Sequence, residues 1–114
     1  MPLPVDDVAV IQRWVHKLNE SIPDHVLAQL RYETEIYRNA VTLIECRLVD
    51  LDKPDGEWFR VPIARLRFFR PSGWELFWPD RNSQFHVYEF TATTRQVQTL
   101  LREIDLDPMA IFFG

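Results

Sequence analysis

A chain of 114 residues, 46% hydrophobic and 26% charged, has the size and composition of one globular domain with a core of its own. Three glycines against eight prolines, with 13% aromatic residues, exclude collagenous and low-complexity classes, and no apolar stretch approaches the roughly 20 residues that cross a bilayer. The net charge of −4 is uneven: residues 1–57 carry six Lys or Arg against eleven Asp or Glu (−5), whereas residues 58–114 carry seven against six (+1), so nucleic acid is a disfavoured partner outside a local basic patch.

The opening Met1-Pro2-Leu3-Pro4-Val5-Asp6-Asp7 has neither the positive nor the apolar region of a secretory leader, and the single Cys46 cannot form an internal disulfide; both features predict a cytoplasmic protein. Val8, Ile11, Val15 and Leu18 then recur at helical spacing, predicting a helix over Val8 to Asn19 capped by Asp6 or Asp7. Ser21-Ile22-Pro23-Asp24 matches the start signal of a second, short helix with Ile22, Val26 and Leu30 on one face. From Arg31 the period becomes two. Tyr32, Thr34 and Ile36 alternate with polar neighbours, Asn39 suits a left-handed turn position, and Val41 to Leu48 returns as the second strand of a hairpin.

Asp50 to Glu57 is polar and rich in turn residues, so it reads as an exposed loop; Lys53-Pro54 interrupts its aspartates and spoils a calcium-loop pattern. Three further strands follow, Pro62 to Arg70, Trp74 to Trp78 and Phe85 to Phe90. Thr93-x-x-Gln96 signals a last helix with Val97, Leu100, Leu101 and Ile104 inward, ended by Asp107-Pro108. The apolar tail from Met109 to Gly114 is expected to dock on the chain's own core, the alternative being that it enters a partner's groove. The sum is a single α+β domain over 1–114: a five-stranded antiparallel meander with two N-terminal helices and one C-terminal helix packed on one face.

Scattered His16, His25 and His86 without paired cysteines give no metal site, and isolated glycines give no phosphate loop, so no cofactor is expected. If Trp78 pairs with Phe85 and Arg67 with Glu75, one sheet face gathers Arg65, Arg67, Glu75, Phe77, His86 and Tyr88. An ion pair such as Arg67 with Glu75 would make this face structural cover. Arginines mixed with aromatic rings are also the composition of protein interfaces and of single-strand nucleic-acid platforms. Arg65, Arg67, Phe77, His86 and Tyr88 are therefore the candidate partner-binding set, with no catalytic residue assigned.

The combination of Pro62-Ile63-Ala64-Arg65-Leu66-Arg67-Phe68, Trp74-x-Leu76-x-Trp78-x-Asp80-Arg81-Asn82-x-x-Phe85-His86-x-Tyr88 and Glu103-Ile104-Asp105-x-Asp107-Pro108-x-x-Ile111-Phe112-Phe113-Gly114 resembles the bacterial family called domain of unknown function 3024. Pro23-x-His25-Val26 and Arg38-Asn39-Ala40-Val41-Thr42 extend the resemblance over nearly the whole chain. It implies a bacterial, cytoplasmic, stand-alone protein and no activity. The functional expectation is a non-catalytic protein-interaction module whose partner is another protein or a second copy in a homodimer. Its alternatives are an enzyme or small-ligand site around His86 with Asp80 or Glu75, and a weak single-stranded nucleic-acid binder.

Overall fold

The computed structural model describes residues 3–113; Met1, Pro2 and the tail's Gly114 lie outside the described residues. The elements are α1 (Val5–Glu20), α2 (Asp24–Leu27), β1 (Leu30–Tyr37), β2 (Ala40–Leu48), β3 (Trp58–Phe69), β4 (Gly73–Pro79), β5 (Phe85–Val87) and α3 (Val97–Leu106). The strands form one antiparallel sheet in sequence order, the expected meander. Because successive strand residues point to opposite faces, the sheet has two chemically different surfaces. On one, Val41, Leu43, Leu66, Trp74 and Leu76 join Ile11 and Val15 of α1 and Val97, Leu100, Leu101 and Ile104 of α3 in a single core. Among the described residues no helix packs on the opposite, open face.

The helix starts differ from their sequence signals. Pro4 precedes α1 without a side-chain cap, and Asp6 and Asp7 fall inside the first turn, where their charge favours the helix dipole. Asp7 instead accepts a 2.9 Å hydrogen bond from the indole of fully buried Trp74. The second helix is a single turn: Ser21 donates back to the Leu18 carbonyl, so no capping box forms, and Leu30 opens β1. Before α3 the hydroxyl of Thr94, rather than Thr93, accepts an amide, that of Gln96.

The turns carry the fold's special backbone positions. In the β1–β2 turn the residue with positive φ is Arg38, at 53°, not Asn39. Asn39 ties the turn to β3: its amide donates to the Phe68 carbonyl at 3.1 Å, and its own carbonyl accepts the Phe68 N–H at 2.8 Å. A bulge between Leu43 and Ile44 shifts the β2–β3 register, and both Ile63 and Ala64 join the core. Gly73 has φ +106°, and a Cβ there would sit 2.5 Å from the Thr94 carbonyl oxygen. That close approach lets Trp74 and Thr94 exchange two backbone hydrogen bonds.

The C-terminal segment docks as expected. Asp107 ends α3 in the left-handed conformation, and its carboxylate accepts the amides of Ile111 (2.9 Å), Phe112 (3.1 Å) and Phe113 (2.9 Å). Phe112 is thereby buried against Tyr88, and Phe113 meets Tyr32 edge-on.

Candidate functional site

The open face is built by alternation along β1, β2 and β3. Glu33 and Glu35 of β1, Thr42, Ile44 and Cys46 of β2, and Arg60, Arg65 and Arg67 of β3 share it by register. Although no helix covers them, Thr42, Ile44, Cys46 and Phe77 are buried. Long side chains lying flat on the sheet shield them, since arginine stems cover apolar surface while keeping the charge in contact with water. Arg60 reaches Glu33 at 2.7 Å and Glu35 at 3.4 Å, with the Cys46 sulfur 3.8 Å away. This arginine first, and its charge, holds the Glu33 carboxyl below its ordinary pKa; burial foremost raises the Cys46 thiol. Arg31 lies 4.2 Å over the Trp58 ring and pairs with Glu33.

Arg65 and Arg67 differ from these two. Arg65 donates to the Thr42 hydroxyl at 2.8 Å and lies 3.9 Å over the Phe85 ring; Arg67 lies 5.0 Å over Phe77. The register sets Arg67 opposite Glu75, as expected, yet no ion pair forms between them. Among the described residues neither arginine has a carboxylate within 4.0 Å. Burial, and then the charge of Arg67, lower the Arg65 guanidinium from its ordinary value. The result is two adjacent cations, each lying over an aromatic ring and neither in an ion pair; Glu35 only partly offsets the Arg65 charge from a distance.

Two of the five expected contact residues are elsewhere. Trp78 pairs with His86 and Phe77 with Val87, one residue away from the anticipated register. A one-residue slip moves every side chain to the other face. His86 and Tyr88 therefore join the core side, and Phe85 and Val87 take their places on the open face. Tyr88 is 1% exposed and donates to Glu103 at 2.7 Å; burial foremost, then this carboxylate, push its pKa up to about 12. Phe77 remains on the open face, buried beneath Arg67 as a platform.

The slip follows from the β4–β5 turn. Asp80 and Gln84 pair through the backbone, Asp80 Oδ1 accepts the amides of Asn82 and Gln84, and Ser83 adopts φ 61°. This is a three-residue loop closed by a left-handed residue. Asp80 Oδ2 meets His86 Nε2 at 2.8 Å, and this contact foremost lowers the Asp80 pKa. The imidazole stacks on Trp78 with centroids 5.0 Å apart, at the wall of a cleft of about 430 Å³ lined also by Tyr88, Glu89, Phe90 and Met109. Glu75 is on the opposite face and cannot serve His86. Among the described residues no hydroxyl or thiol is bonded to the imidazole, and no group of three or more potential ligands could hold a metal.

Fold and site together define an α+β protein with a one-sided helical layer and an arginine–aromatic open sheet. The chain belongs to the family described as domain of unknown function (DUF3024), whose model matches residues 2–114. No curated protein and no solved structure is significantly similar to it. No helix is long and apolar enough to cross a membrane among the described residues.

The sequence reasoning missed Phe85, Val87, Thr42 and the Arg60–Glu33–Glu35 cluster. Alternation counted from Cys46 across the hairpins would have reached the cluster. Phe85 and Val87 needed the loop length, which Ser83 conceals because serine is not a typical left-handed residue.

Proposed function

We propose that the protein is a non-catalytic interaction module whose open sheet face receives carboxylates of a protein partner at Arg65 and Arg67. The observation that carries this reading is the unmatched pair of cations beside Arg31 and Arg60, which do have carboxylate partners. A guanidinium stacked on a ring presents its donors in a fixed plane, suited to bidentate carboxylate recognition. Glu33, Glu35 and Glu75 on the same face, together with the net charge of −4, disfavour a polyphosphate backbone.

Capture from native lysate tests it, comparing wild type with the Arg65→Gln/Arg67→Gln variant after confirming equal folding, and analysing both protein and nucleic acid. A protein retained by wild type, released by salt and lost by the variant supports the reading. Recovery of nothing specific, or of nucleic acid alone, overturns it. A second reading, a small-molecule site in the cleft beside His86, is favoured by the carboxylate-held, stacked imidazole on the cleft wall. Ligand-observed NMR screening with His86→Ala as control distinguishes it.

A further inference from the structure

The sheet has two edges, and the structure treats them differently. At the β1 edge α1 packs alongside, and the Asn19 side-chain amide occupies both backbone groups of Tyr32, accepting its N–H at 2.8 Å and donating to its carbonyl at 2.9 Å. At Tyr32 a side chain thus fills the place of a neighbouring strand. At the β5 edge nothing comparable occurs. Gln84 bonds Asp80, and Tyr88 donates to the Leu76 carbonyl at 2.9 Å, so even-numbered residues turn their backbone toward β4. By antiparallel alternation the N–H and C=O groups of Phe85 and Val87 point away from β4, and among the described residues no other strand pairs with β5. Exposed apolar surface surrounds them: Val87 is 45%, Met109 50% and Phe90 66% exposed.

We infer that the protein partner is a second copy of this chain, joined to the first edge to edge along β5 in an antiparallel ladder about a twofold axis through Val87. This rests on the interaction reading above and names its partner. The twofold sets Val87 opposite its own copy and Phe85 opposite Glu89 of the second copy, because directly paired positions must be equidistant from Val87 along the chain. Glu89 is exposed, has no ion pair among the described residues, and lies two positions past Val87 in the turn that follows β5, so this ladder requires residues 88 and 89 to continue the strand on association. Side chains opposed in this way stand about 5 Å apart. The Arg65 guanidinium already lies 3.9 Å over the Phe85 ring, so the facing Glu89 supplies a carboxylate at ion-pairing distance, which Arg65 does not have among the described residues of its own chain. The symmetry makes two such bridges flanking a Val87–Val87 contact, while Arg67 stays free for a further anionic group. A three-residue edge gives a small interface, which sets the association at the weak end of specific complexes.

Sedimentation equilibrium over a wide concentration range tests this, with three variants of unchanged circular dichroism. Wild type is expected to be a reversible dimer that dissociates as salt rises. Val87→Pro removes only an outward-pointing donor on an edge strand and is expected to be monomeric. Arg65→Glu and Glu89→Arg each put like charges together and are expected to weaken self-association at least about tenfold. Mixed one to one, these two re-form both opposite-charge contacts, and a heterodimer close to wild-type affinity is expected. A wild type that stays monomeric at several hundred micromolar, about the upper range of weak specific association, overturns the second-copy inference. The lysate capture then still decides the interaction reading independently. A dimer indifferent to Val87→Pro, or a mixture that fails to associate, overturns the β5 geometry.

Discussion

Replacing Asp107 tests how the C-terminal segment is held. Its carboxylate accepts three amides, from Ile111, Phe112 and Phe113, at 2.9 to 3.1 Å. Charge-assisted bonds are worth about 1.5–3 kcal/mol each when shielded, and partial exposure of this site reduces them to about 1 kcal/mol each. Asp107→Asn keeps one acceptor oxygen and tolerance of the left-handed backbone, losing about one bond, or about 1 kcal/mol. Asp107→Ala loses all three and adds about 1 kcal/mol for a non-glycine, non-Asx residue at φ 41°, about 4 kcal/mol in total. With an unfolding entropy of about 2.1 cal/mol/K per residue, each kcal/mol lowers Tm by about 4 °C, giving shifts of about 4 and 16 °C. Thermal unfolding measures the shifts, and amide exchange at residues 111–113 shows whether the loss is local. An alanine variant that melts within about 2 °C of wild type, or keeps those amides protected, refutes the tether.

Gly73→Ala is expected to cost about 2–4 kcal/mol, measured by urea unfolding, because the new Cβ meets the Thr94 carbonyl at 2.5 Å with φ at +106°. Tyr88 holds its proton to about 12 when folded but releases it near 10.0 when unfolded. The stability this contributes is therefore present below pH 10 and lost as the pH rises through 12, and Tyr88→Phe should flatten that alkaline decline in denaturation curves. Asp80 has the opposite sign: its lowered pKa contributes stability above the ordinary value of 3.8 that is lost as the pH falls through the folded value. Asp80→Asn should flatten the acid limb of a Tm-versus-pH profile while leaving its alkaline limb unchanged.

The meander, the helix faces and the inward residues Ile11, Leu66, Leu100 and Ile104 were legible because period and turn composition report burial directly. Ala40 to Ile44, apolar but for Thr42, is buried at every position, close to the pattern of a strand covered on both faces. The candidate site was half legible. Arg65, Arg67 and Phe77 follow from the β3–β4 register, which a short turn with glycine fixes. His86 and Tyr88 depended on a loop whose length is set by the Asp80 side chain and a left-handed Ser83, neither visible in alternation. Helix caps were misjudged for a related reason: Asp7 finds a stronger use in the Trp74 indole than at a helix start.

The hydrogen bonds from the two indoles also order events in time. Every strand pairs with its neighbour in sequence, so the sheet zips through short loops at little entropic cost. Docking α1 is different, since the Trp74–Asp7 and Trp14–Asp105 bonds join residues 67 and 91 positions apart. Bringing the first helix back across a formed sheet is then expected to be the slower step, and the aspartates that bond these indoles make it observable. Trp14, on α1, and Trp74, whose indole bonds Asp7 of α1, report helix closure by fluorescence, while the strand residues Trp58 and Trp78, without an indole bond to α1, report the zipping expected to precede it.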